Sequence, residues 1–202
     1  MFLKDKNILF IHIPKTCGKL ITENMSKNSE NFYYGHYPFK IWKDLYPMID
    51  SNTIIFSFIR NPYDKMLSFY IYTLKNHRTI VPWFSQKNDI DFNFNKWLKW
   101  NYNENITNLK KSKINNIKTN NIEMICNFEL NFSNQYNLLL YENSNINENI
   151  TNFKYEDFCK NNNIIIDFFN KNNLLNYNFN QIVNSTQHKH YSTYYNDESI
   201  QL

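Results

Sequence analysis

The sequence contains no alanine, and among its 202 residues only two are glycine and two are arginine. Ala, Gly, Arg and Pro are written mostly in GC-rich codons, whereas the abundant Asn, Lys, Ile, Phe and Tyr are written in AT-rich ones. Asn alone supplies roughly one residue in five, a bias that reads as an AT-rich genome acting on tolerant surface positions and not as a prion-like tract. A glycine or arginine that persists against this pressure is a candidate for a physical task. Cysteine is scarce too: Cys17, Cys126 and Cys159 are too few and too scattered for a disulfide framework, and no CxxC pair suggests zinc. No apolar run is long enough to span a bilayer, and the first fifteen residues lead into a strand pattern with no signal-peptide cleavage region. These absences predict a soluble, cytoplasmic protein in a reducing compartment, with no membrane segment.

What is present describes a globular chain. Hydrophobic residues make up 42% and aromatics 18%, which excludes a disordered or collagen-like chain. The length fits one domain over residues 1–202, with a polar excursion around 82–134. A net charge of +4 and a pI near 8.8 admit an anionic ligand without demanding nucleic acid.

The run from Asn7 to Ile13 (NILFIHI) is apolar on both faces and stops at Pro14, as a buried parallel strand does. Helical spacing follows from Lys19 to about Lys27. Thr53 to Ile59 (TIIFSFI) is a second buried strand stopped by Asn61-Pro62, and Tyr63 to about Asn76 has the spacing of a long helix. Strand, loop and helix repeated in this way predict an α/β fold with a central parallel sheet and helices on both sides. Further along, Phe94 to Trp100 reads as a helix and Tyr136 to Tyr141 (YNLLLY) as another inner strand. Tyr155 to Asn161 and Ile164 to Asn170 read as helices, and the tail from Ser185 to Tyr195 has no clear period.

Three segments carry candidate chemistry. The loop IPKTCGKL holds one of the two glycines, Gly18, between Lys15 and Lys19. A strand-to-helix loop offers free backbone N–H groups and the positive end of the helix dipole. Lys15 and Lys19 add charge, Thr16 a hydroxyl, and Cys17 and Gly18 a compact backbone; the whole reads as a phosphate cradle. It is not a good Walker A loop, because Ile13 takes the first glycine position and Leu20 the magnesium-binding hydroxyl position. An ordinary turn with surface lysines is the plain alternative. Arg60 sits at the end of the second strand, where α/β sheets bind ligands. With Ser68 on the following helix it suits a second phosphate group, against the alternative of pairing with Asp64. His36, in the loop YYGHYP beside the other glycine, is a candidate general base.

Together FIHIPKTCGKL, YGHYPF and SFIRNPYDKMLSFY resemble the signature series of the Golgi-type carbohydrate sulfotransferases, whose pattern is roughly IHIPKTGGTS, GHxPF and RNPYDRxLSxY. The group containing heparan sulfate 2-O-sulfotransferase is the nearest in pattern, and the tail NSTQHKHYSTYYNDESI is similar to the family's closing segment. The resemblance implies a three-layer, P-loop-like fold. It also implies transfer of a sulfuryl group from 3′-phosphoadenosine 5′-phosphosulfate (PAPS) to an acceptor hydroxyl on a glycan, with adenosine 3′,5′-bisphosphate as product and no metal. On that basis Lys15, Thr16, Cys17, Gly18 and Lys19 hold the 5′-phosphosulfate, and Arg60 and Ser68 hold the 3′-phosphate. His36 is the base, Lys15 stabilises the leaving oxygen, and His188 and Tyr191 belong to a tail that closes on the co-substrate. Trp42, Trp83, Trp97 and Trp100 are candidates for stacking on sugar rings.

The chain departs from the pattern at Cys17, Lys19 and Leu20, where the family has Gly and small hydroxyl residues. Cys17 would be oxidation-sensitive if exposed. No membrane anchor precedes the first strand, which predicts a soluble, non-Golgi relative. A P-loop nucleotide kinase and a non-catalytic nucleotide-binding relative are the alternatives.

Overall fold

A computed structural model describes residues 1–27, 29–75, 93–100, 135–139, 149–172 and 188–201. The chain divides into two compact units, one drawn from Met1–Asn61 and Glu123–Ser185, the other from Pro62–Ile122 and Thr186–Leu202. The strands are β1 (Phe2–Leu3), β2 (Ile8–Ile11), β3 (Phe32–Tyr33), β4 (Ile54–Ile59) and β5 (Ile150–Lys154). The helices are α1 (Gly18–Ser26), α2 (Phe39–Leu45), α3 (Pro62–Lys75), α4 (Phe94–Trp100), α5 (Tyr155–Lys160), α6 (Asn163–Lys171) and α7 (Asp197–Ile200).

The first unit is α/β, around one five-stranded sheet in the order β3-β1-β2-β4-β5. Its centre is parallel: Ile8 of β2 lies beside Ile54 of β4, and Ile55 of β4 beside Ile150 of β5. The sheet as a whole is mixed, which corrects the expectation of a purely parallel one. Lys4–Lys6 form a single 3₁₀ turn and Asn7 takes a left-handed φ of 51°, a conformation Asn tolerates better than most residues. That turn folds Phe2 and Leu3 back against Leu9 and Ile8, so β1 runs antiparallel to β2 and also to β3.

Alternation along the strands gives the sheet two apolar faces. Ile8, Phe10, Phe56 and Phe58 bury on one face with Leu20, Ile21 and Met25 of α1, Phe158 of α5, and Ile165 and Phe169 of α6. Leu9, Ile11 and Ile55 bury on the other with Phe39 and Trp42 of α2, and with Leu138, Leu139 and Ile150. Helices therefore flank the sheet on both sides. The one polar side chain buried in the middle of β4, Ser57, donates to the Ile11 carbonyl at 2.9 Å, so its burial leaves no orphaned hydroxyl.

The expected strand at Tyr136–Tyr141 is a correction. Gln135–Leu138 is a 3₁₀ turn, and Leu140 and Tyr141 lie outside the described residues. A central strand has two neighbours, and those of β4 are β2 and β5, so the apolar Leu138 and Leu139 bury against a sheet face instead.

In the second unit, α3 and α4 pack through Phe69, Tyr70, Phe94 and Trp97, with ring centroids 5.3–5.6 Å apart in three of the pairs. The 188–201 segment joins them: Phe94 meets Tyr195 at 4.8 Å, Asn95 donates to the Tyr194 carbonyl, and a capping box of Asn196 and Ser199 starts α7. Trp42 and Trp97 are almost wholly buried, so these two are core residues and do not present faces to a sugar. Trp83 and the side chain of Trp100 lie outside the described residues, as does the 82–134 excursion apart from residues 93–100. Among the described residues no helix is long and apolar enough to cross a membrane.

Candidate functional site

β2 ends at Ile11, and the chain reaches α1 through a loop with two left-handed residues, Lys15 (φ 66°) and Cys17 (φ 74°). Neither is a glycine. Such backbone is uncommon for non-glycine residues and costs on the order of 1–3 kcal/mol each, so the surrounding structure must hold it in place. Thr16 does part of this: fully buried, its hydroxyl donates to the Ile13 carbonyl at 2.7 Å. Left-handed residues within a turn curl successive N–H groups into an anion-sized concavity. Here the loop leads into the N-terminus of α1, whose first turn carries no acidic residue to neutralise the dipole.

Gly18 has no positive φ. Its task is space. A Cβ at Gly18 would lie 1.5 Å from Nε2 of His12, so the imidazole fills the notch that the missing side chain leaves. Leu20 is buried in the core, and the position where a magnesium-binding loop carries a hydroxyl therefore points away from the loop. Lys19 extends along the helix, with its ammonium 3.6 Å from Glu23.

Arg60 follows β4 at the same edge of the sheet, since Ile11 of β2 lies beside Ser57 of β4. Its backbone is fixed by one side chain: the N–H donates to Gln135 Oε1 at 2.9 Å, and Gln135 Nε2 donates to the Arg60 carbonyl at 2.6 Å. The next amide, Asn61 N–H, donates to Glu156 Oε1 at 2.7 Å. Arg60 as a whole residue is 8% exposed. Its Nη1 donates to the Lys15 carbonyl at 2.9 Å, and its guanidinium carbon stands 4.3 Å from the centre of the Tyr155 ring. The strand-end arginine thus braces the strained loop. The Cys17 thiol is pushed up to about 12, chiefly by burial and then by nearby Cys159, with Arg60 opposing. A thiol held protonated at neutral pH is a poor nucleophile, and Cys17 is only partly exposed.

His36 lies beside the loop through His12. The two imidazoles are 4.2 Å apart between centroids, and the Tyr34 hydroxyl lies 3.3 Å from His12 Nδ1 and 3.2 Å from His36 Nε2. Burial pushes His36 down to about 4 and His12 well below the usual histidine range, the latter also through His36 and Lys15. Both rings are therefore neutral at pH 7. His36 Nδ1 is buried and has no hydrogen-bond partner among the described residues.

Comparison with protein families, with curated proteins and with solved structures gave no match. The local geometry is what speaks to function.

Of the residues singled out in the sequence, the first unit brings together Lys15, Thr16, Cys17, Gly18, Arg60 and, through His12, His36; Lys19 starts in the same turn but pairs outward. Ser68, His188 and Tyr191 belong to the second unit. There Ser68 is buried on α3, His188 Nε2 stands 3.6 Å from Asp64 Oδ1, and Tyr191 stacks on Tyr63 at 5.7 Å. Sequence reasoning passed over His12, Tyr34, Gln135 and Tyr155. Only His12 left a trace there, as the one ionisable residue inside an apolar strand run. It also passed over Lys65, a buried lysine one helical turn before Ser68, which burial pushes down to about 8.

Proposed function

We propose that the chain is a PAPS-dependent sulfotransferase with a P-loop-like, three-layer fold, moving a sulfuryl group to an acceptor hydroxyl, with a glycan as the acceptor class. The observation that carries this reading is the contact of Arg60 with the carbonyl of left-handed Lys15 at 2.9 Å. It sets a buried guanidinium against an amide-lined helix entrance, at the strand ends where open α/β sheets take their ligands.

In this reading the Lys15–Gly18 backbone holds the 5′-phosphosulfate, the Lys15 ammonium stabilises charge growing on the bridging oxygen, and Arg60 supplies the second anion contact. His36 is uncharged at neutral pH because it is buried, so it carries a lone pair for the hydroxyl proton, and the same burial makes it a weaker base than a free imidazole. The acceptor oxygen forms its bond to sulfur as the bond from sulfur to the bridging oxygen breaks, and the hydroxyl proton passes to His36. Positioning and charge stabilisation do most of the work, as in phosphoryl transfer. Buried Leu20 offers no hydroxyl for magnesium, which counts against a kinase.

Thermal unfolding with adenosine 3′,5′-bisphosphate, with AMP, and with ATP plus magnesium tests this directly. At about 100 times its dissociation constant the bisphosphate should add about 2.7 kcal/mol, and AMP much less. A response confined to ATP and magnesium would favour the kinase. Binding of the bisphosphate without turnover of PAPS over an acceptor panel would leave a nucleotide-binding relative.

A further inference from the structure

Cys17 and Cys159, far apart in sequence, are brought to one place by the sheet of the first unit. α1 follows β2 and α5 follows β5, and both strands run parallel to β4. The two helices therefore begin at the same sheet edge. They also bury on the same face, where Leu20 and Ile21 of α1 share one core with Phe158 of α5. Cys17 packs against that core from the entry of α1, and Cys159, next to Phe158, is exposed. Arg60 and Tyr155 link the two places. The guanidinium holds the Lys15 carbonyl, two residues before Cys17, at 2.9 Å. Its carbon lies 4.3 Å from the centre of the Tyr155 ring, one helical turn before Cys159. The Tyr155 side chain is hydrogen-bonded to that of Cys159, and the two thiols are close enough that charge on one disfavours charge on the other.

The two sulfurs differ in access. Cys159 is exposed and Cys17 only partly so, and burial keeps the Cys17 thiol protonated at neutral pH. In disulfide exchange the thiolate is the attacking species. An oxidant in solution therefore meets Cys159 first, and Cys17 follows from inside.

We propose that Cys17 and Cys159 are a redox-active pair that a small disulfide, such as glutathione disulfide, converts to an intramolecular disulfide, clamping the entry of α1 to α5. In the first step the Cys159 sulfur attacks one sulfur of the oxidant, whose S–S bond breaks, and one glutathione leaves. In the second the Cys17 sulfur attacks the Cys159 sulfur and displaces the other glutathione. The two thiol protons end on the two glutathiones, and the two electrons of the pair have reduced one S–S bond while forming another. Such a bond differs from a structural framework: in a reducing compartment it forms transiently and reports redox state. Nothing in the exchange depends on the sulfuryl-transfer reading.

Peptide mapping without reductant tests this on the whole chain, folded and treated with glutathione disulfide at pH 8. It is run on the wild type and on Cys126→Ser, which removes the cysteine outside the described residues. Both proteins should give a monomer in which the peptides carrying Cys17 and Cys159 are joined, and dithiothreitol should release them. A disulfide holds its two Cα atoms within about 7 Å, so its formation measures the approach of the loop to α5. Cys17 left as a free thiol, whether or not Cys159 carries glutathione, overturns the proposal, as does a Cys159–Cys159 dimer or a bond to Cys126. The glutathione adduct should appear first on Cys159, and its resolution should slow about tenfold from pH 8 to pH 7 as the Cys17 thiolate becomes scarcer. First capture by Cys17 would overturn the order of steps. In Cys159→Ser, Cys17 should stay reduced under the same treatment; its oxidation there at the wild-type rate would show that it needs no partner, and the pair would be lost.

Discussion

The two strand ends that meet at the sheet's edge are built in opposite ways. After β2 the loop is defined by its backbone: two left-handed residues, a helix entrance and a glycine notch filled by His12, with Thr16 turned inward and Lys19 turned outward. After β4 the surface is a side chain, the Arg60 guanidinium, while the backbone there is fully engaged by Gln135 and Glu156. A site made of backbone tolerates drift in side-chain identity as long as its path is kept. On the proposed sulfotransferase reading, that tolerance would let Cys17, Lys19 and Leu20 stand where the resembled family has other residues. A site made of one side chain tolerates no such drift. The contrast is consistent with the persistence of both a glycine and an arginine in a chain that has two of each.

The sharpest way to break the backbone end is Gly18→Ala. A methyl group 1.5 Å from an imidazole nitrogen forces the His12 ring or the loop to move, and overpacking of this kind costs about 3 kcal/mol. Denaturant unfolding should show that loss, and His12→Ala in the same chain should recover most of it, since the two residues share one space. A Gly18→Ala protein as stable as the wild type would mean that the notch is not a constraint.

Arg60→Ala probes the other end and should cost less, about 2 kcal/mol, by leaving the Lys15 carbonyl without its charged donor and the Tyr155 face bare. Its effect on binding should be selective. The preference for a nucleotide with a 3′-phosphate over AMP should vanish, and Arg60→Lys should not restore it, because a point charge does not replace a planar fork. Undiminished preference in Arg60→Ala would remove this residue from the anion site.

Acid should weaken the fold through the two histidines near the β2 end. His12 and His36 have folded pKa values below the ordinary 6.5, His36 at about 4, so the unfolded chain binds more protons between these values. Their contribution to stability is therefore complete above about pH 6.5 and is lost as pH falls toward 4. Urea midpoints between pH 7 and pH 5 should fall, and fall less in His36→Gln. Parallel curves for the two proteins would sink the assignment.

The legible parts of the fold were those with a strong local signal. β2 and β4 are apolar runs stopped near prolines, and α1, α3 and α4 follow from their spacing to within a residue or two. β5 was missed because only Ile150 and Phe153 in ITNFK are apolar, and an edge strand is held by backbone pairing that composition does not advertise. YNLLLY misled for the converse reason, being apolar enough for a strand while the place beside β4 is taken. At the site, scarcity pointed to Gly18 and Arg60. Gly18 proved to make room for a neighbouring ring, and a contact between residues six apart in sequence cannot be read from spacing. The same holds for Tyr34, whose hydroxyl meets His12 only because the fold brings the two together.

Lys19 gives the smallest effect and the most demanding test of the contrast. If the loop is a backbone site, its side-chain charge is peripheral. The ammonium lies outward with Glu23, both side chains well exposed at 58% and 44%, and such i,i+4 pairs contribute no more than about 0.5 kcal/mol. Lys19→Ala should therefore leave the unfolding midpoint almost unchanged. It should also weaken bisphosphate binding by less than tenfold, in a manner that fades with added salt as long-range attraction does. Lys15→Ala should weaken it more, because that ammonium leaves from the left-handed turn itself. A Lys19→Ala loss equal to that of Lys15→Ala would mean that the lysine swings onto the ligand, and the β2 end would then be a side-chain site like the β4 end.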